Sequence, residues 1–325
     1  MDAVHAGDQN DVGVKIILPS TIYGSPRFYS EAFQDAMAIV RHLGKPDIFI
    51  TFTCNPKWPE ITAALNPGEK ACDRPDLSCR IFKLKFYTLM DDLLKLEILG
   101  RVKAHTATIQ FQKRGLPHVH ILLIIDAECK PKTTEMIDNN VSAGIPDRET
   151  NPKLFEPITT QNIHGPCGNV NPKSPCMDGN KRTKNFPKSF RQSTKVTENS
   201  FSPLYMHRGP DSGGKTHIKK VNGNDFAVDN SFVVPYNPTL SLRFQAHINV
   251  EIVHSVQAVK YLYKYITKGQ DEVLLGFGEE TENDEINRYV NARYISASEA
   301  LWCLYGFEIH RKHPPVEKLP CHLPD

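Results

Sequence analysis

The sequence lacks any long apolar run. Hydrophobic residues make up 40% of its 325 positions, and none of their clusters approaches the roughly 18 consecutive apolar residues of a membrane-spanning helix. The N-terminus, MDAVHAGDQND, is acidic and polar and is unlike a secretory signal. We therefore expect an intracellular protein without a membrane partner.

A large excess of charge is also missing. The formal net charge is +2, from 39 Lys and Arg against 37 Asp and Glu, which is too small to indicate a nucleic-acid partner by itself. The eight cysteines are spread along a long chain without the dense spacing of a disulfide scaffold, so reduced thiols are expected. Any nucleic-acid-binding role must therefore rest on local clusters of residues.

Helical and β patterns are mixed in the first 126 residues. Apolar residues recur at helical spacing over 29–44 and over 80–100, and each of these segments ends at a glycine. Short β-rich runs cover 47–55, 102–112 and 117–125, and the last two are separated by KRGL, which is typical of a hairpin. This mixture predicts an α+β fold.

Changes in composition divide the chain into four parts. Residues 1–30 are an N-terminal extension, and 31–126 form the first part of the core. Residues 127–230 are rich in Pro, Asn, Lys, Gly and Thr, which predicts a loop-rich insertion carrying Cys and His residues. Residues 231–325 form the second part of the core, with a strand in AHINVEIV, a tyrosine-containing helix, and a helix that Ser296 caps.

Two histidines lie one residue apart in RGLPHVHILLII. Because side chains alternate along a strand, His118 and His120 point to one face while Val119 points to the other. Two imidazoles about 7 Å apart on one face can share a cation. The alternative is a pair of ordinary strand histidines that are partly exposed or hydrogen-bonded.

The predicted hairpin favours the interpretation that the two histidines bind a cation. Gln110 and Gln112 lie on one face of the preceding strand, and folding at the turn brings one of them beside the histidines. Two nitrogens and one oxygen, with coordination positions left open, suit a catalytic Mg²⁺ or Mn²⁺ better than a closed structural zinc site.

The segment VKYLYKYITKG predicts a helix with three tyrosines. Tyr263 lies on its apolar stripe and is expected to pack in the core. Tyr261 and Tyr265 project to the opposite side, beside Lys264 and Lys268. They are either surface residues of an amphipathic helix or a pair of nucleophiles. A phenol with a pKa of about 10 becomes a nucleophile when cations favour the phenolate, which the lysines and a nearby metal could supply.

Nine segments carry a family resemblance that runs over nearly the whole chain. They are LPSTIYGSPRFYSEAFQDAMAIV, GKPDIFITFTCNPKWPEI, FQKRGLPHVHILL, HGPCG, VVPYNPTL, AHINVEI, AVKYLYKYITKG, RYISASEALW and HLP. Through them the sequence resembles the Helitron transposase N-terminal, helicase-like domain. The nuclease core of that family belongs to the HUH class of rolling-circle replication initiators.

The resemblance implies a metal-dependent single-stranded DNA endonuclease and strand transferase. In this interpretation His118 and His120 bind Mg²⁺ or Mn²⁺, and Tyr261 and Tyr265 are nucleophiles that form a 5′-phosphotyrosine. The implied fold is α+β, a central antiparallel sheet with flanking helices and the long loop-rich insertion. The implied partner is single-stranded DNA at transposon ends, which places the action in the nucleus.

Basic residues near these groups are candidates for contact with DNA phosphates. Lys264 and Lys268 are expected to contact phosphate and activate the phenols, and Lys113 and Arg114 to grip the strand at the hairpin turn. Lys260 is a further DNA-binding candidate. Exposed lysines are ordinarily only solvated, so this alternative stays open.

At two places the sequence departs from the family pattern, which weakens the assignment of the family's metal ligands to this chain. Gln110 stands where the family usually has Glu; an amide oxygen can still be a ligand, but it brings no charge. In the insertion, His164, Cys167 and Cys176 remain as a possible structural Zn²⁺ site, but Arg182 stands about where another cysteine is expected. A zinc site of these three residues lacks an obvious fourth ligand.

Three hypotheses follow from the sequence. The favoured one is the nicking and joining enzyme. Its rival is a catalytically inactive single-stranded DNA-binding remnant of a transposon, and the third is a structural scaffold with a zinc knob. The resemblance also implies a downstream helicase domain in a full-length protein. Because these residues contain no Gly-x-x-x-x-Gly-Lys-Ser/Thr motif, we expect no ATP-driven unwinding from this segment itself.

Overall fold

The computed structural model describes residues 18–111, 115–174, 176–197, 200–221, 223–254 and 295–317. In these ranges the helices are α1 (Pro26–Leu43), α2 (Pro59–Thr62), α3 (Pro75–Leu94), α4 (Thr134–Asn140), α5 (Pro152–Gln161), α6 (Pro238–Phe244) and α7 (Ala297–Leu304). The strands are β1 (Ile48–Thr53), β2 (Val102–Phe111), β3 (Pro117–Ile125), β4 (Met177–Asp178), β5 (Lys181–Arg182), β6 (Thr216–Val221), β7 (Asn224–Asp229), β8 (Ile248–Ile252) and β9 (His310–His313).

Five strands form the central sheet in the order β8-β1-β3-β2-β9. All four neighbouring pairs are antiparallel. The fold is therefore α+β with an antiparallel sheet and flanking helices, as predicted. The sequence did not predict β9, a short edge strand of basic residues that pairs with β2.

One face of the sheet is the main hydrophobic core. Phe52 of β1 stacks against Phe82 of α3 with ring centroids 5.3 Å apart, and it meets Phe244 of α6 edge-on at 5.4 Å. Trp302 of α7 lies 6.2 Å from Phe82 and is 1% exposed. Val119 of β3 is buried in the same cluster. Aromatic side chains from three helices thus hold β1 and β3 in a fixed position.

Helix α1 covers part of the opposite face. Its first turn is capped by Ser25, whose hydroxyl accepts from the Phe28 N–H at 3.1 Å, and Gly44 ends it with φ +94°. Ala36 of α1 packs against Phe49 and Leu122 of the sheet. The helix therefore starts three residues before the predicted 29–44, and it covers the part of this face around Phe49 and Leu122.

The observed ends of helix α3 differ from the predicted ones. The sequence pattern extended this helix from 80 to Gly100, whereas it begins at Pro75 and ends at Leu94. The chain takes a positive φ of 51° at Glu97 and of 97° at Gly100, and a right-handed helix cannot pass through such residues. The segment after Leu94 is a turn that leads directly into β2.

The insertion contains more regular structure than loops alone. Two helices, α4 and α5, and the β6–β7 hairpin lie within 127–230. Asn162, which is fully buried, donates from its side chain to the Ile248 carbonyl at 2.7 Å, and its own carbonyl accepts from the Val234 N–H at 2.8 Å. This residue ties the end of α5 to the edge strand β8, so the insertion is anchored beside the sheet.

Within the described ranges, no helix is both long and apolar enough to cross a lipid bilayer.

Candidate functional site

His118 and His120 lie on β3, the central strand of the sheet. Their ring centroids are 4.9 Å apart and the rings are nearly perpendicular, at 88°. Val119 between them is fully buried in the core on the other face, as the alternation of a strand requires. The structure therefore brings the two imidazoles together on one face, on a strand with hydrogen-bonded neighbours on both sides.

A row of polar residues crosses all five strands through His120. Its members are His310, Thr108, His120, Thr51 and Asn249, each directly opposite the next. Thr108 Oγ1 lies 2.9 Å from His310 Nδ1, and Thr51 Oγ1 lies 3.0 Å from His120 Nδ1. These contacts fix the orientation of two of the imidazole rings.

A second, shorter row runs through His118. Gln110 of β2 is opposite His118 on one side, and Thr53 of β1 is opposite it on the other. We call the two rows together the polar patch. Among the described residues, His118 Nδ1 and Thr53 Oγ1 are buried and have no hydrogen-bond partner. Buried polar atoms are ordinarily paired with protein, water or an ion, so these two atoms are available to bind a ligand.

Burial keeps both histidines of the pair neutral. It lowers the pKa of His118 to about 4, with a smaller contribution from His247. It lowers the pKa of His120 to about 3, helped by His118 and by Lys184. A neutral imidazole has a free lone pair, which is the form that binds a metal. The donor set of two imidazoles and the Gln110 amide is therefore compatible with a divalent cation.

The polar patch ends where α1 begins to cover the sheet. Phe49 of β1 stacks on His120 with centroids 5.4 Å apart and an interplanar angle of 16°. Beyond it, Leu122 and Val253 join α1 in an apolar cluster. One side of the candidate site is thus formed by apolar side chains.

A basic segment of the insertion approaches the patch. Residues 181–191, KRTKNFPKSFR, contain five lysines and arginines and no acidic residue. Lys184 acts electrostatically on both His120 and His164, and Lys188 acts on the partly buried Glu251 of β8. The local excess of positive charge was a signal in the sequence, but its position beside the histidines depends on how the insertion folds.

Three of the predicted metal ligands, His118, His120 and Gln110, are brought together. His164, Cys167 and Cys176 also form a cluster, in which the ligand atoms lie within 4.8 Å of one another. The predicted nucleophiles and all of the predicted basic contacts lie outside the described residues. These are Tyr261, Tyr265, Lys260, Lys264, Lys268, Lys113 and Arg114.

Several residues of the patch were not expected from the sequence. Thr51, Thr108, Asn249 and His310 come from four strands, and only their register brings them next to the histidines. The motif FTCNP spans the last two residues of β1 and the three residues after them. Its Cys54 is buried in the core, and the Asn55 side chain donates to the Gln245 carbonyl at 2.6 Å.

Comparison with known protein families supports the resemblance. A family model described as the Helitron helicase-like domain at the N-terminus matches residues 1–123. The matched segment ends within β3 and includes both histidines of the polar patch. No curated protein matches the chain.

Proposed function

The chain carries a Helitron helicase-like N-terminal domain, and from this premise we propose that it nicks and joins single-stranded DNA in rolling-circle transposition. A role related to Helitron transposases follows from the family. The proposal is the specific activity, a metal-dependent endonuclease and strand transferase. One observation carries it: His118 and His120 are adjacent, neutral imidazoles with Gln110 opposite the first of them.

We propose His118, His120 and Gln110 as the ligands of Mg²⁺ or Mn²⁺. The unpartnered Nδ1 of His118 and the low pKa values of both rings support this assignment. A bound ion would neutralise charge on the non-bridging oxygens of the scissile phosphate. The protein's own contribution is to hold the ligands on neighbouring strands, so that little reorganisation is needed when the phosphate arrives.

The proposed covalent step uses Tyr261 or Tyr265, both outside the described residues. The phenol oxygen bonds to phosphorus, the bond from phosphorus to the 3′-oxygen breaks, and the phenol proton reaches the released 3′-oxygen by way of solvent. The products are a 5′-phosphotyrosine and a free 3′-hydroxyl. A second 3′-hydroxyl can reverse the step and join a new strand without ATP. Lys264 and Lys268 are proposed to favour the phenolate form.

The proposed path of the DNA strand runs over the basic residues beside the polar patch. Lys184 and Lys188 of the basic segment are the candidates supported by electrostatic interaction with residues on this face of the sheet. Lys113, Arg114 and Lys260 remain candidates from the sequence. Contacts of this kind bind phosphate without reading bases, so the proposal assigns them affinity and not sequence specificity.

The test is covalent capture of labelled single-stranded DNA. The purified chain is incubated with the DNA and Mn²⁺ and run on a denaturing gel, beside Tyr261→Phe, Tyr265→Phe and the double variant. We expect a DNA-sized shift of the protein band that a chelator abolishes and that is absent from the double variant. His118→Leu should bind DNA but form little adduct. An adduct that survives in the double variant would contradict the tyrosine assignment.

A second candidate function is a single-stranded DNA-binding remnant without activity. Gln110 favours this inactive remnant, because its neutral amide replaces the charged ligand that is usual in the family that the sequence resembles. Binding of DNA without any adduct, in Mg²⁺ or Mn²⁺ and also in Gln110→Glu, would support the remnant and overturn the nuclease. The nuclear location and a helicase domain in a longer protein are parts of the same proposal.

A further inference from the structure

A second cluster of metal-ligating side chains lies in the insertion. His164 Nδ1 or Nε2, Cys167 Sγ and Cys176 Sγ lie within 4.8 Å of one another. Ligand atoms around a tetrahedral zinc ion are separated by roughly 3.3–3.8 Å, given typical Zn–N and Zn–S bond lengths. The three side chains therefore need to close by only about 1 Å to share an ion. We call them the soft-metal cluster.

The backbone around the cluster is shaped for such a site. His164 and Cys167 are separated by two residues, the spacing common in structural zinc sites, and Gly168 follows with φ +81°, which lets the chain turn away at once. The third ligand, Cys176, immediately precedes the short β4–β5 hairpin. Both cysteines are buried, at 5% and 7% exposure.

His164 of the cluster has a ring nitrogen that is available to bind a metal. Its Nε2 is buried and has no hydrogen-bond partner among the described residues. Phe186 stacks on the ring with centroids 4.3 Å apart and an interplanar angle of 13°. The ring is therefore held in place by packing on its face while its edge nitrogen is left unsatisfied, as expected of a ligand.

Arg182 stands beside the cluster where a fourth ligand is expected. Its guanidinium lies over Gly168, so close that a Cβ on that glycine would meet Arg182 Nη2 at 2.6 Å. Nη2 is also 3.5 Å from the Cys167 carbonyl. Burial and the neighbouring Cys176 raise the pKa of Cys167, and the Arg182 cation opposes that rise. Arginine itself is not a metal ligand, so these three side chains leave the fourth coordination position open.

We propose that the soft-metal cluster binds Zn²⁺ through His164, Cys167 and Cys176, and that the ion holds the basic segment beside the polar patch. The connection to the basic segment is direct. Thr183, next to Lys184, donates to the Cys176 carbonyl from both its N–H (2.8 Å) and its hydroxyl (2.9 Å). Fixing Cys176 therefore fixes the start of the segment, and the stacked Phe186 fixes its middle. This proposal does not depend on nuclease activity.

The first test is the zinc content of the purified, reduced 325-residue chain. We expect one tightly held ion per chain, retained in Cys72→Ser, an exposed cysteine outside the cluster, and lost from Cys176→Ser. Arg182→Cys should bind zinc at least about tenfold more tightly, because it supplies a fourth ligand and a third thiolate. Co²⁺ substitution should give thiolate-to-metal absorption in the wild type and not in Cys176→Ser. A wild-type chain with free thiols and no zinc would overturn the proposal.

Two controls separate this site from the polar patch. The double variant His118→Leu, His120→Leu should retain its zinc; if it does not, the ion belongs to the patch and the proposal is overturned. Trypsin reports on the basic segment, because it cleaves after lysine and arginine. We expect zinc to slow cleavage within 181–191 in the wild type but not in Cys176→Ser. Equal rates with and without zinc in the wild type would overturn the positioning role.

Discussion

Thr51 and His120 lie directly opposite each other on β1 and β3, with Thr51 Oγ1 3.0 Å from His120 Nδ1. Metal-binding histidines commonly use one ring nitrogen for the ion and donate from the other to a neighbouring group, which fixes the tautomer. If the Thr51 hydroxyl accepts from Nδ1, then Nε2 carries the lone pair. Thr51 is therefore a positioning residue for the proposed metal site.

Replacing Thr51 with valine should weaken Mn²⁺ binding about 10–100-fold, the usual loss when a group that orients a ligand is removed. Valine keeps the shape and the β-branch, so the strand should remain folded, and Thr51→Ser should restore most of the affinity. Titration of the full chain with Mn²⁺ measures this effect. Thr106→Val, on the same sheet face but opposite Leu122, is the control and should bind like the wild type. Equal affinities for Thr51→Val and Thr106→Val would argue against a positioning role.

Adding charge at Gln110 should strengthen the metal site. Gln110→Glu places a carboxylate opposite His118, and a charged oxygen ligand binds Mg²⁺ better than an amide, by about tenfold or more. Gln110→Met, of similar size but without the oxygen, should bind more weakly than the wild type. Titration with Mg²⁺ measures the affinity of the wild type and of the two variants. If the Glu and Met variants bind equally, Gln110 is not a ligand.

Lys184 should contribute to DNA affinity only by contacting phosphate groups of the DNA backbone. Loss of one phosphate contact reduces the slope of log affinity against log salt concentration by about 0.7 for single strands. We expect this change in Lys184→Ala, to a similar extent for DNA of any sequence. Lys103→Ala is the matched control, because Lys103 is exposed at the far end of β2. An unchanged salt slope in Lys184→Ala would mean that Lys184 does not contact the DNA phosphates.

Glu251 should make the protein less stable as the pH rises. Burial raises the pKa of Glu251 to about 6, although Lys188 and hydrogen bonds lower it. The native protein thus holds this proton more tightly than the unfolded chain does. The stability from this group is fully present below the unfolded pKa of about 4.3 and is lost as the pH rises through about 6.

The corresponding test compares Glu251→Gln with the wild type at two pH values. The variant should be more stable by about 2 kcal/mol at pH of about 8, because no charge has to be buried, and nearly equal at pH of about 4. Urea unfolding measures the difference in the free energy of unfolding. The exposed Glu156→Gln serves as control and should show no difference at either pH. A Glu251→Gln effect of the same size at both pH values would mean that packing, not ionisation, is responsible.

The sequence was informative where a single strand or hairpin decides the outcome. The same-face arrangement of His118 and His120 follows from the two-residue period of a strand. The short hairpin between β2 and β3 predicts that Gln110 or Gln112 lies beside the histidines, and the register of the two strands places Gln110 opposite His118. Both could be predicted because the residues involved are fewer than a dozen apart and the local geometry leaves few choices.

The rest of the site could not be predicted, because it depends on strand order. Thr51 precedes His120 by 69 residues and Asn249 follows it by more than a hundred, yet all three share one row. No local pattern encodes which strands become neighbours. The edge strand β9 was missed for a related reason. Its sequence, HRKH, has little β propensity and is a strand only because β2 offers it a partner.

The alternation of β3 has a consequence for how this protein can change over time. Odd-numbered Val119 and Ile121 build the core, while even-numbered His118 and His120 build the polar patch. Deleting or adding one residue in the strand would exchange the two sets, moving the histidines into the core and the core residues onto the opposite face. Single substitutions can alter one face at a time, but the length of the segment can change only in steps of two. An insertion or deletion of one residue in β3 would therefore disrupt the core and the polar patch at the same time.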